Sequence, residues 1–405
     1  MTALLTALDN PQQGLNCVHI AGTNGKGSTS MMIAHMLHRA GYRCARFSSP
    51  HLHSYRERFT IGGRPVAADR VYAALQQVKA VVPDIIARGG EHPTEFEVLT
   101  AMAFLLFRQE RAEIAVLEVG MGGSFDSTNV IVPLLAVITG IDYDHTAFLG
   151  GRLEEIAANK AGIIKPGVPV LIGTMPHDAR AVVAARARQL QAPLLDTAGV
   201  SVTLRRQSLE GQVLDIAAGK LRLTDLKFNL VGEYQRLNLA LAVKAVQYLR
   251  TQGYSVDDAA LTDALATAVM PGRMEIMSRE PLIILDAAHN PQGARAVSAA
   301  LRSLLPDGRG LLLCGLLDDK ELKDVIDPLA QCCGGAVITR PQGDRAAAWQ
   351  RVAGYWQWQW PEREAIAEES ISRALQIALE RLPDYDYLLV CGSFYLVGPV
   401  RALLR

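Results

Sequence analysis

The residues best suited to chemistry stand near the start of the chain, in Gly22-Thr23-Asn24-Gly25-Lys26-Gly27-Ser28-Thr29. An apolar run, Cys17–Ala21, leads into them and a helix-like stretch, Thr29–Arg39, leads out. A strand, a glycine-rich turn and a helix start present free backbone N–H groups, the positive helix end and a lysine to one small anion. That is an arrangement for nucleotide phosphates, with Ser28 or Thr29 offering a hydroxyl to Mg²⁺. The common P-loop spacing would put glycine where Ile20 stands and Ser or Thr where Gly27 stands. A glycine-rich turn alone needs only backbone freedom. Lysine and two hydroxyls beside it point to phosphate.

Further polar groups follow apolar, strand-like runs. Glu118 ends the run Glu113–Val119 and is followed by Gly120-Met-Gly-Gly. A carboxylate there is a candidate metal ligand, since a Mg·nucleotide site needs hard oxygen donors; the alternative is a buried acid paired with a cation. Asp142, Asp144 and His145 follow the run Leu134–Gly140, and Lys160 lies in the helical stretch beyond. By spacing alone Lys160 is an ordinary helix lysine. In the second half Asp286, His289 and Asn290, then Asp318-Asp-Lys320, then Ser393 sit at three more strand ends and make a candidate pocket wall.

The elements that must position these groups alternate as strands and helices, the mark of α/β layering. Strands are expected at Cys17–Ala21, Arg43–Ser48, Glu113–Val119, Leu134–Gly140 and Val168–Gly173. Helices are expected at 68–81, 95–108, 153–159 and 179–189. Alternating residues from Val200 to Val231 predict a small antiparallel excursion, and helices over 235–250 and 256–268 close the first domain. Met270-Pro-Gly-Arg273 reads as a hinge, giving a phosphate-binding domain over 1–272 and a smaller Rossmann-like α/β domain over 273–405, with a ligand expected in a cleft between them. Strands at 282–286, 310–315, 336–340 and 387–392 follow it. The tryptophans of 356–360 read as an edge packed on a core.

Bulk composition narrows the partners. The 405 residues are 49% hydrophobic, which supports two globular cores and no disordered tail. Lys plus Arg and Asp plus Glu balance at 41 each with no charge block, so nucleic acid is not expected and small molecules are. Cys17, Cys44, Cys314, Cys332, Cys333 and Cys391 form no Cys-x-x-Cys pair and read as buried thiols of a reducing cytoplasm. The first residues show no basic stretch followed by an apolar one, and no apolar run reaches membrane-spanning length, so a cytoplasmic setting is expected.

Taken together, the motifs resemble the folylpolyglutamate synthase/dihydrofolate synthase branch of the Mur ligase family over nearly the whole chain. The resemblance is carried by the phosphate loop, Ser48-Ser49-Pro50-His51-Leu52, Glu57-Arg58-Phe59, Thr94-Glu95-Phe96-Glu97 and Glu118–Gly123. Asp144-His145-Thr146, Lys160–Ile163, Gly232–Gln235 with Asn238, Pro271-Gly272-Arg273, Asp286–Pro291, Asp319-Lys320 and Gly392-Ser393 extend it. It implies that Thr23 to Thr29 hold the ATP phosphates, that Lys26, His145, Lys160 and His289 are catalytic, and that one Mg²⁺ rests on Ser49 and Glu118 beside the Ser28 hydroxyl. A second Mg²⁺ would rest on Glu118, His145 and Lys160, the lysine carbamylated by CO₂. Asn238 would approach the adenine, Arg273 the phosphates, and Asp286 would face the nucleotide. His289 and Ser393 would receive L-glutamate.

The implied reaction is glutamate ligation to a folate or dihydropteroate through an acyl phosphate, in a cytoplasmic monomer. Two departures fall on the acceptor side. About twenty residues precede the loop where relatives carry a longer leader, and Ser124 follows Gly122-Gly123 where Arg is usual. Other readings remain: a ligase acting on a non-folate acid, a UDP-muramoyl ligase (which would carry a nucleotide-sugar domain ahead of the loop), and a regulatory ATP binder.

Overall fold

Runs of four to six consecutive apolar residues form the strands at the centre of this α/β chain, as expected for parallel sheets covered on both faces. A computed structural model describes residues 1–405, which divide into two units. The first unit comprises Met1–Arg205, Val213–Phe228 and Gln235–Ala268; the second comprises Arg206–Gln212, Asn229–Tyr234 and Val269–Arg405.

In the first unit the strands are β1 Cys17–Ala21, β2 Cys44–Phe47, β3 Phe59–Ile61, β4 Arg64–Pro65, β5 Ile114–Glu118, β6 Leu135–Ile138, β7 Val170–Ile172 and β8 Leu194–Asp196. Their spatial order is β4-β3-β2-β5-β1-β6-β7-β8. All neighbours from β2 to β8 run parallel, whereas β3 and β4 are antiparallel at one edge. The chain leaves β1 toward β2 on one side, and β6, β7 and β8 lie on the other. The crevice at the carboxyl end of β1 is therefore a topological switch point, where open α/β sheets bind ligands. The edge hairpin β3–β4 and the short β8 were not foreseen, because strands of two or three residues carry no readable period.

The alternating stretch forms β9 Val200–Ser208, β10 Gly211–Ala218 and β11 Leu221–Phe228, a three-stranded sheet. Leu214, Ile216 and Ala218 of β10 are buried while their neighbours are less so, matching the period of two. The helices over Glu233–Thr251 and Asp258–Ala266 follow.

In the second unit β12 Glu275–Arg279, β13 Leu282–Asp286, β14 Gly310–Cys314, β15 Cys333–Ile338, β16 Ala365–Ala367 and β17 Tyr387–Cys391 lie in the order β12-β13-β17-β14-β15-β16. Only β12 is antiparallel. The tryptophan run is the end of a helix, Gln350–Gln359. Residues two apart on a helix point to different sides, so Trp356 is fully buried in the core while Trp358 is exposed. All six cysteines are free and buried. No helix is long and apolar enough to cross a membrane.

Candidate nucleotide and ligase sites

The phosphate loop occupies the tip of β1. Gly25 caps the helix Lys26–Arg39 in the left-handed region, φ +83°, and a Cβ there would collide with the Asn238 side-chain oxygen. Gly22, φ +150°, would collide with Thr139 Oγ1. Both positions need glycine for sign of φ and for space. The helix starts at Lys26, three residues before the expected stretch, because a left-handed Gly cap lets it begin inside the loop. Lys26 Nζ donates to Gly22 O at 2.9 Å and Thr23 O at 3.1 Å.

The loop is laced to the segment after β6. Thr139 Oγ1 donates to Asn24 O at 2.6 Å, Thr23 N to Gly140 O at 2.8 Å, and Thr23 Oγ1 to Asp142 O at 2.9 Å. Beneath it Asn238 Nδ2 donates to Gln235 Oε1 at 3.1 Å. Thr29 Oγ1 and Gln235 Nε2 are buried without a hydrogen-bond partner. Orphaned buried donors are costly, and the oxygens and ring nitrogens of a nucleotide are acceptors of the kind they lack. The residues present fit the group.

Glu118 closes β5 and is buried; Ile20 of β1 is its register partner. The loop beyond is held by Asp126, whose carboxylate accepts from Gly120 N, Met121 N and Thr128 N at 3.0–3.1 Å and from Thr128 Oγ1 at 2.5 Å. Because the Thr128 proton goes to Asp126, His19 Nε2, 2.8 Å from Thr128 Oγ1, must be the donor in that contact. Burial drives His19 down to about 3, so it stays neutral and structural. Burial pushes Asp126 up, against the hydrogen bonds it accepts.

Lys160 ends the helix Leu153–Lys160, and its buried amine donates to Gly22 O at 3.0 Å. The spacing gave it no special standing; the fold places it against the phosphate loop. Burial first, and the Lys26 charge second, lower its pKa to about 7. Such a lysine is roughly half neutral at pH 7, against about one in a few thousand for an ordinary one. His145 has a left-handed backbone, φ +51°, at the start of a short turn of helix, and its ring lies 4.0 Å from the Asp144 carboxylate. No three His, Cys, Asp or Glu side chains converge as a metal cage anywhere in the chain. A Mg²⁺ at this site would draw on hydroxyls, Glu118 and phosphate oxygens, which is how that ion is commonly held.

Ser48 and Ser49 follow β2. Ser48 Oγ accepts from Arg46 Nη2 at 2.9 Å, and Arg46 Nη1 reaches Gly27 O at 3.4 Å. Burial lowers the Arg46 pKa and the Glu118 carboxylate opposes that shift. Arg46 was missed: within an apolar strand it drew no notice, though an arginine just before Ser-Ser was the available signal. The Glu57-Arg58 motif proves to be scaffolding for the same loop. Glu57 accepts from the backbone of Leu52, His53 and Ser54 at 2.9–3.0 Å, and Arg58 Nε donates to His51 Nδ1 at 2.9 Å.

The second unit carries its own polar cluster at strand ends. Asp286 is buried at the end of β13; it accepts from Met274 N at 2.9 Å, Ala288 N at 2.8 Å and Tyr234 OH at 3.4 Å. Arg273 Nη1 lies 3.8 Å from it, and the Arg273 guanidinium stacks 4.8 Å over the Phe394 ring. Burial raises the Asp286 pKa and Arg273 opposes the rise. His289 Nδ1 lies 2.8 Å from Ala287 O, so Nδ1 carries a proton and donates it to that carbonyl. Ser393 is the N-cap of the helix Phe394–Leu403, its Oγ accepting from Tyr395 N at 3.1 Å. Asn290 caps the helix Pro291–Leu304 in the same way, with proline in its first turn.

Comparison with known proteins follows this geometry closely. The Mur ligase middle domain model matches residues 20–246, and the Mur ligase glutamate ligase domain model matches residues 272–394. The chain is 31% identical over 411 aligned positions to the dihydrofolate synthase/folylpolyglutamate synthase of Bacillus subtilis, covering 100% of this chain and 94% of that protein. It is 34% identical to the folylpolyglutamate synthase of Lacticaseibacillus casei, covering 99% and 92%. Among solved structures, Mycobacterium tuberculosis folylpolyglutamate synthase complexed with ADP superposes with TM-score 0.94 at 31% identity, covering 100% and 93%. An FPGS–AMPPCP–folate complex superposes with TM-score 0.88 at 33% identity, with the same coverage. With both domains matched in order and the loop, carboxylate and strand-end residues in place, this chain belongs to the Mur ligase family, in its folylpolyglutamate synthase/dihydrofolate synthase branch.

Proposed function

We propose that this protein is an ATP-dependent ligase that joins L-glutamate to a folate, releasing ADP and phosphate. The observation that carries the reading is the phosphate loop at the β1 switch point, walled by buried Glu118 and the buried Lys160 amine. Relatives described as complexes with ADP, AMPPCP and folate support it.

The loop N–H groups of Gly25 to Thr29 and the Lys26 ammonium hold the β- and γ-phosphates, Lys26 turning from its carbonyl partners to the anion. The folate carboxylate attacks the γ-phosphorus; the bond to the ADP oxygen breaks and an acyl phosphate forms. The glutamate amine then attacks the acyl carbon, phosphate leaves, and an amide forms with loss of one proton. We assign the ATP metal to Ser28, Ser49 and Glu118, and a second to Glu118, His145 and a carbamate on Lys160. Bound there, Mg²⁺ supplies positive charge to the transferring phosphoryl group. Lys160 suits the carbamate because its neutral amine is abundant, and only that form can add CO₂. Asn238 and Gln235 serve the nucleotide side. His289 and Ser393 receive glutamate.

The acceptor is bound by loops after β5 and β6. Phe125 is 95% exposed, and Met121, Tyr143 and Phe148 also stand out to solvent. Exposed large apolar side chains in neighbouring loops suit a flat heterocycle. Ser124, where the family usually has Arg, instead donates its hydroxyl to Asn159 O at 3.0 Å. A reduced folate is the assigned acceptor, with dihydropteroate a second candidate. The setting we assign is a monomer in a reducing cytoplasm, consistent with six buried free thiols, acting on small molecules and not on nucleic acid.

Phosphate release from ATP tests the reading. Release is expected only when tetrahydrofolate or dihydropteroate and glutamate are both present. Release with neither would favour a regulatory ATPase, and none with any folate would favour another acid.

A further inference from the structure

Parallel pairing of β2 with β5 sets Arg46 opposite Val116, so Arg46 and Glu118, two residues on, share one face of adjacent strands. The first turn of the phosphate-loop helix covers that face, since Arg46 Nη1 reaches Gly27 O at 3.4 Å. Its other nitrogen binds Ser48 Oγ at 2.9 Å, next to Ser49. One guanidinium thus links three pieces of the nucleotide site: the loop helix, the Ser48–Ser49 turn and the Glu118 strand. The charge is permanent, because arginine does not lose its proton in proteins.

We propose that Arg46 is a resident cation of the phosphate site, sharing Glu118 with the divalent metal that accompanies the nucleotide. The inference rests on nucleotide binding at the Gly22–Thr29 loop. Arg46 offsets the Glu118 charge before metal arrives, so the loop accepts nucleotide phosphates without metal. Arg46 and the metal then compete for one carboxylate, and the metal gains less from binding than it would at an unshared acid. Removing the guanidinium should weaken metal-free nucleotide binding and strengthen the dependence on Mg²⁺. A packing role would predict neither change.

The test is ADP affinity by calorimetry, in EDTA and in saturating Mg²⁺, for the full chain and its variants, with thermal unfolding measured alongside. For Arg46→Leu the affinity in EDTA should fall on the order of tenfold, as expected for loss of a nearby charge in a low-dielectric site. The ratio of Mg²⁺ to EDTA affinity should rise by a similar factor. Arg46→Lys, which keeps the charge, should hold the ratio near that of the parent. Arg46→Gln replaces the leucine variant if the latter does not fold. An unchanged ratio in the uncharged variants, whether or not the melting temperature falls, overturns the proposal and leaves packing. Failure of the parent chain to bind ADP in either condition overturns this and the nucleotide-site reading together.

Discussion

A lysine amine buried against a loop carbonyl behaves unlike the same residue on a surface helix. Lys160 is lowered to about 7, burial being the larger cause and Lys26 the second. Lys160→Ala should abolish phosphate release, while Lys160→Glu should retain some, because it supplies an anionic oxygen in place of the proposed carbamate. Equal activity of the alanine variant and the parent would discard the role. Gly25 is the other residue whose chemistry is dictated by its place. Gly25→Ala forces a side chain into the left-handed region, costing about 1–2 kcal/mol, and onto Asn238. ADP affinity in calorimetry should drop at least tenfold. Adding Asn238→Ala should recover only part of the lost thermal stability, since the backbone cost persists.

Among elements, the turn that opens the second unit is pinned from a distant helix. Arg401, in the helix Phe394–Leu403, makes a two-pronged pair with Glu275 at 2.8–3.0 Å, and Glu275 accepts from Gly272 N at 2.8 Å. Ala287 N donates to Gly272 O at 2.9 Å, so the turn bearing Arg273 is tied on both sides. Arg401→Ala leaves Glu275 without its cation and should destabilise by about 3 kcal/mol, the low end for a broken buried pair because Glu275 keeps some solvent contact. Urea unfolding would measure it, and a loss under 0.5 kcal/mol, the ~0.5 scale of ordinary surface changes, would refute it. The Phe125 loop makes the opposite prediction. Phe125 is almost wholly exposed, so Phe125→Ala should leave the unfolding midpoint unchanged while raising KM for folate several-fold and sparing KM for ATP.

For the whole molecule, Lys160 couples stability to pH. Its folded pKa lies near 7 and its ordinary value at 10.5, so between those limits the unfolded chain binds the extra proton. Stability therefore rises with pH across that window through this group, and the gain is complete above the ordinary value. In CO₂-free buffer without metal or nucleotide, the urea midpoint of the parent should rise from pH 7 to pH 9 more than that of Lys160→Met. Parallel slopes for the two would contradict the burial assigned to this amine.

What the residues determined by themselves was local. β1 and β13 fall where continuous apolar runs predict them, and the Gly22–Thr29 turn, the Asn290-Pro291 helix start and the polar strand ends at Glu118, Asp286 and Ser393 were legible from type and spacing. Those signals survive without partners because turn chemistry, capping and strand burial depend on near neighbours. The strands at or next to the sheet edges, β3, β4, β8, β12 and β16, were illegible, being stabilised by pairing and not by their own pattern. Tertiary structure alone decided that Lys160 touches Gly22, that Arg46 sits beneath the loop with Glu118, and that Glu57, Arg58 and Asp126 are scaffolding. Each of those facts depends on which strands lie side by side. Burial then turns an ordinary ammonium or guanidinium into a tuned one, and no spacing along the chain records how far a group will be taken from water.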